Sequence, residues 1–278
     1  MKPITCHLPK SLYAALQARV DQEKESVDHI VAMALSGYLE TPLHTLFQVS
    51  TSAALVEGVY QGAVRVSRLL QHGDFGLGTF THLDGEMVVL DGVCYRVAST
   101  GAVAPVAGEC LVPYAVVTRF NSSFKRKHQR ISTLGGLIQT CDQLRDSNNV
   151  FYAFRVNGKF HVVKTRVMNP VPKGTSLKTA ASAQQEFRFE ELRGTLVGIW
   201  SPAFAASFTV PGYHFHFLSE DRKSGGHVLD CQASEVAIDG CAMNEMHVSL
   251  PETEDFLKAD LTRDPQADLM KAERSHES

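Results

Sequence analysis

Between Leu46 and Met168 the chain is a succession of short β-prone runs broken by glycine, among them FGLGTFTHL, EMVVLDGVCYRVA and FYAFRVNGKFHVVKTRV. Runs of this length, rich in branched and aromatic residues, pair into sheets. The Asn157-Gly158 pair inside the third run predicts a hairpin turn at that point. Helical patterns are fewer, and the best are Ser52 to Leu55, Val64 to Leu70 and Leu134 to Leu144. The stretch from Asn169 to Gln185, with Pro170, Pro172 and Gly174, reads as a linker or long loop. After it LRGTLVGIW, SFTVPGYHFHFL and GGHVLDC return to strand character, and the acidic tail from Pro251 reads as helix and coil. A chain of 278 residues that is 44% hydrophobic can bury a sizeable core as one large or two ordinary domains. The expected class is α+β: a mixed β-sheet domain over 42–170, then a β-rich, barrel-like domain over 171–278.

Residues 1–41 have a different texture. Ile4, Cys6 and Leu8 alternate with Thr5 and His7 as in a short strand, and Leu12, Leu16 and Val20 follow at four-residue spacing. Ser26 is a candidate N-cap for a second helical pattern through Val27, Ile30, Val31, Ala34 and Leu35. In order and length this strand-helix-helix module resembles the ribbon-helix-helix domain, in which two chains pair their strands and intertwine their helices. Such a ribbon often reads DNA, and Lys2, Thr5 and His7 would face outward from it. Yet Lys2, Lys10, Arg19 and Lys24 stand against Asp21, Glu23, Glu25, Asp28 and Glu40, so four cations meet five anions and the module carries net −1. Affinity for duplex comes largely from neutralised phosphates, which leaves homodimerisation as the preferred reading and nucleic acid as a lesser one.

In GYHFHFL, His214 and His216 stand two apart on a strand whose other face is Tyr213, Phe215 and Phe217. The intervening SEDRKSGG has the composition of a hairpin turn, which brings His227 back to the same face. Three neutral imidazoles around an open position are a common layout for catalytic zinc. The same spacing also arises as plain surface alternation, and it serves redox iron in cupin-like metal oxygenases. The residues alone support a metal site in a barrel-like domain.

Several long segments carry a more specific signal: GDFGLGTFTHLDGE at 73–86, FYAFRVNGKF at 151–160, VKTR at 163–166, LRGTLVGIW at 192–200, and GYHFHF with SGGHV at 212–228. From about Phe47 to the C-terminus the sequence resembles the α-acetolactate decarboxylase family, which lacks the N-terminal module. The resemblance implies decarboxylation of 2-acetolactate to acetoin and carbon dioxide, a step of the acetoin and butanediol pathway. It implies Zn2+ on His214, His216 and His227, with Glu86 of LDGE at the metal as ligand or helper. Thr79 matches a residue lining the substrate pocket, and Arg166 matches the arginine of the family's TRT segment, where Val167 departs from the usual threonine. Spacing from the first histidine points to Glu273 as the glutamate that the family's tail returns to the site. Loss of carbon dioxide from a β-keto acid builds negative charge on the ketone oxygen, which zinc stabilises. In this reading Arg166 holds the carboxylate or the developing oxyanion, and Glu273 shuttles the proton. Arg155 is expected in a structural ion pair.

Other features mainly exclude. Asp74-Phe75-Gly76 echoes a kinase motif, but no catalytic-loop HRD, GxxxxGK[ST] or GxGxxG accompanies it. The formal charge of -3 gives no overall bias toward polyanions, and the cationic stretch Arg119 to Arg130 reads as solvated surface. The six cysteines form no CxxC pair, and no segment has the apolar length of a signal peptide or membrane helix, so a cytoplasmic protein is expected. A regulator that binds DNA and merely senses acetolactate is the non-enzymatic alternative.

Overall fold

The computed structural model describes residues 4–24, 26–39 and 45–273, and it falls into two compact units, Met1–Leu43 and His44–Ser278. In the first unit α1 (Lys10–Glu23) and α2 (Val27–Tyr38) form the expected pair of helices. α1 stops where Lys24 turns left-handed at φ 58, and α2 begins directly after Ser26. None of this unit's described residues is buried, and Leu12, Tyr13, Met33 and Leu35 are about half exposed. The strand expected over Ile4 to Leu8 is not formed: residues 4–9 carry no strand, since a lone extended segment has no neighbour to complete its ladder. Lys2 lies outside the described residues.

In the second unit the strands in chain order are β1 (Thr45–Val49), β2 (Val64–Arg65), β3 (Phe75–Thr79), β4 (Glu86–Leu90), β5 (Val93–Val97), β6 (Val103–Pro105) and β7 (Leu111–Val112). They continue as β8 (Tyr114–Thr118), β9 (Phe124–Ile131), β10 (Phe151–Val167), β11 (Gln185–Ser201), β12 (Gly212–Ser219), β13 (Gly225–Met243) and β14 (Glu245–Ser249). The helices are α3 (Ser52–Val56), α4 (Val66–His72), α5 (Leu134–Asp142), α6 (Leu177–Ala181), α7 (Glu254–Lys258) and α8 (Gln266–Glu273). The larger sheet runs β14-β1-β8-β3-β4-β5-β6, with β14 and β1 parallel and the other neighbours antiparallel. The second runs β10-β11-β12-β13-β9, and because β10 also pairs with β13 the pairings return to their first strand. A mixed α+β fold is therefore observed.

Strand alternation explains how both sheets can be buried. Leu46, Val88 and Val116 face a core shared with Ala153, Val197, Leu218 and Cys241 of the second sheet. Their sequence neighbours Phe47, Val89 and Val117 face a separate core capped by Val66 and Leu69 of α4. In the second sheet Phe154, Leu196 and Phe217 point the other way, into a core reached by Leu137 of α5. Each of these strands is thus apolar on both faces, the pattern of strands buried between layers.

Three expectations change. The hairpin at Asn157-Gly158 is absent, and Phe151–Val167 is one strand of 17 residues. Neither residue takes the positive φ of a type I′ turn; Asn157 pairs with Thr195 and Ala237, and Gly158 with Gly194 and Val236. A Cβ at Gly158 would stand 3.0 Å from the Glu235 carbonyl oxygen, so this glycine serves close strand approach. The boundary expected at residue 170 also gives way, because β10 before it pairs with β11 and β13 after it, while β14 joins β1. Residues 44–278 form one unit. Finally, the loop expected over 169–185 contains α6, started by the Ser176 side chain accepting from the Thr179 N–H.

Candidate active site

The site lies where the two sheets face each other. On the larger sheet Thr79 ends β3 and is the cross-strand partner of Glu86, the first residue of β4. Gly85 makes the approach possible with φ +96, and a Cβ there would meet the Val97 carbonyl oxygen at 2.3 Å. Thr79 Oγ1 donates to the Gly85 carbonyl at 2.9 Å. An acidic residue in a DGE turn is ordinarily solvated, but Glu86 is only 6% exposed, and its Oε1 accepts from the Met168 N–H at 3.3 Å.

The second sheet supplies the rest. The turn after Ser219 returns the chain as expected, pairing His216 with His227 across β12 and β13. His214, two residues earlier, shares their face, whereas Phe215 and Phe217 go to the opposite core. Gly226, at φ +131, immediately precedes His227, and a Cβ there would come within 2.8 Å of the Arg166 carbonyl oxygen. That close approach sets His227 directly opposite Arg166 of β10. Arg166 is 4% exposed rather than a surface arginine, and its Nη1 donates to Gln184 Oε1 at 3.2 Å.

The imidazole nitrogens converge. His214 Nε2 lies 3.0 Å from His227 Nδ1 and 3.1 Å from His216 Nε2, and Glu86 Oε2 stands 3.5 Å from His216 Nε2. His216 Nδ1 lies 2.7 Å from the Met87 carbonyl oxygen across the gap between the sheets. A carbonyl only accepts, so that nitrogen carries the proton and His216 Nε2 presents a lone pair inward. Burial pushes His214 down to about 3, and the Arg166 guanidinium adds in the same direction. His214 is therefore neutral near pH 7, the form that ligates metals. Three imidazole nitrogens, two of their separations 3.0–3.1 Å and all within 4.8 Å, suit a cation among them, since zinc–nitrogen bonds of 2.0–2.1 Å in a tetrahedron separate the nitrogens by roughly 3.3 Å. The residues present fit a zinc ion.

Thr79, Glu86, Arg166, His214 and His227 line one cavity of about 50 Å³. Its apolar lining was not anticipated from sequence: Leu55 of α3, Leu177 of α6 and Leu269 of α8, with Leu83, Met168, Val210 and Tyr114, the last paired with Thr79 across β3 and β8. Glu273 is the last residue of α8, and its side chain lies outside the described residues. Arg155 makes the expected ion pair, with Asp91 at 2.7 Å. The cationic stretch is largely surface as expected, although from Phe124 onward it belongs to the edge strand β9.

A pocket this small, with cationic, carboxylate and imidazole groups together in its lining, is the equipment of an enzyme that works on small molecules. Comparison with known proteins gives the particular family. The sequence model of the alpha-acetolactate decarboxylase family matches residues 46–263. An alpha-acetolactate decarboxylase of Methanosarcina mazei is 42% identical over 232 residues, covering 82% of this chain and 80% of that protein. The Bacillus subtilis strain 168 enzyme is 36% identical over 226 residues, 81% of this chain and 89% of its own. A crystal structure of alpha-acetolactate decarboxylase from that strain superposes with a TM-score of 0.80 at 36% identity, covering 83% of this chain and 100% of the other. The chain belongs to the alpha-acetolactate decarboxylase family and is an enzyme of that class, which leaves the oxygenase and sensor readings unsupported.

Proposed function

We propose that the chain decarboxylates 2-acetolactate to acetoin with one zinc ion held by His214, His216 and His227, Glu86 serving as a further ligand or as its helper. The observation carrying this reading is the convergence of three imidazoles within 4.8 Å of one another, two of them lining a pocket that Glu86 and Arg166 also line. Bound zinc would supply a Lewis acid for the ketone and hydroxyl oxygens, taking up the negative charge that develops as carbon dioxide leaves. Arg166 binds and orients the substrate carboxylate with its planar donor fork, itself aimed by Gln184. Thr79, tied to the Gly85 carbonyl, shapes the pocket beside Glu86. Glu273 delivers a proton to the carbon that has lost the carboxylate. The apolar wall excludes water, which strengthens every electrostatic contact within. The returning ring of pairings from β10 through β13 is the barrel-like support of the metal-binding half.

Residues 1–41 act in this reading as a ribbon-helix-helix module that makes the protein a homodimer, because two helices with no buried side chain among those described need a partner surface. Its net charge argues against a role on DNA. Free cysteines, four of them buried, fit a reducing cytoplasm. Among the described residues no helix is long and apolar enough to cross a membrane. The test is acetoin formation from racemic 2-acetolactate before and after chelation: activity abolished by the chelator and restored by zinc supports the reading. Full activity in protein stripped of metal contradicts it.

A further inference from the structure

The cavity has two chemically distinct walls. All its charged and imidazole groups come from strands or strand ends, whereas Leu55, Leu177 and Leu269 come from three short helices far apart in sequence. Those helices, α3, α6 and α8, pack on one another. Leu269 is 1% exposed and Leu55 and Leu177 are each 7% exposed, so these side chains have little room to move aside. The pocket space of about 50 Å³ is room for roughly four waters. A small anion is best matched with its oxygens toward Arg166 and the histidines, which leaves its alkyl group for the leucines.

Building on the decarboxylase reading, we propose that this leucine wall measures the alkyl substituent on the hydroxyl-bearing carbon of the substrate, with Leu269 of the C-terminal helix as the specificity-determining side chain. Arg166 and the histidine cluster fix the carboxylate and the reacting oxygens on the other side, so each added methylene must be absorbed at the leucines. A methyl or ethyl group fits, and a propyl group meets Leu269. A buried apolar contact of one methylene discriminates by about 10- to 200-fold, and removing three carbons from Leu269 should release discrimination of that order.

The experiment measures kcat/KM for 2-acetolactate and for its ethyl and propyl homologues, following the hydroxyketone product, in wild type, Leu269→Ala, Leu269→Phe and Leu177→Ala. We expect Leu269→Ala to raise the propyl-to-methyl ratio about tenfold or more, and Leu269→Phe to lower the ethyl-to-methyl ratio. Should Leu269→Ala fail to fold, Leu177→Ala must raise the propyl-to-methyl ratio in the same direction. Ratios within twofold of wild type in folded variants that still process the methyl substrate overturn the leucine wall while leaving the decarboxylase reading intact. A wild-type protein that turns over none of the three substrates overturns both.

Discussion

The two walls of the cavity are made in different ways. The polar wall is written into strand register: His214 and His216 share a face because strands alternate, and His227 is opposite His216 because a turn fixes the pairing. The apolar wall is an assembly of short helices, and each of its leucines is where it is only because three separate segments pack together. Changes to the first wall should therefore alter chemistry with little effect on stability. Changes to the second should alter stability and substrate size with little effect on the chemical step.

Arg166→Lys is the sharpest test of the first half of that contrast. A lysine keeps the positive charge but loses the two-pronged geometry, and loss of one preorganised donor is worth about 10²- to 10³-fold in rate. Turnover should fall by about that factor with zinc content unchanged, and near-normal turnover would remove Arg166 from the mechanism. Leu177→Ala tests the second half. Deleting a buried leucine side chain costs roughly 2–5 kcal/mol. Thermal unfolding should shift downward while turnover of the methyl substrate in the folded variant stays within a few-fold of wild type. If instead turnover collapses with stability intact, the leucine belongs to the chemistry.

The smallest catalytic effect is expected outside both walls. Deleting residues 1–43 should lower the mass seen by light scattering and leave acetoin formation per chain unchanged. An unchanged mass would mean that the helical pair is not the dimeriser.

How much of this was legible in sequence follows the same division. The returning turn before His227, the α3, α4 and α5 regions and the mixed α+β class were readable, because each rests on local periodicity or turn chemistry. The Asn157-Gly158 turn misled because the dipeptide chemistry of a hairpin also suits a strand that needs a small residue where two neighbours approach closely. The boundary at residue 170 misled because a proline-rich stretch ends a strand without ending a sheet, and β10 and β11 pair across it. Glu86 and Arg166 came from family resemblance, since nothing in Asp84-Gly85-Glu86 or in a strand arginine announces burial. Leu55, Leu177 and Leu269 carried no signal, because an isolated leucine in a short helix looks the same whether it lines a cavity or fills a core.

The central claim is that three histidines on two paired strands hold the zinc on which the chemistry depends. Elemental analysis of purified wild type and His216→Ala tests it most directly, because His216 is buried behind the cavity and braced by the Met87 carbonyl rather than lying in the substrate's path. The account predicts about one zinc per chain in wild type, little in the variant, and loss of acetoin formation in step with the metal. Stoichiometric zinc together with full activity in folded His216→Ala would contradict it.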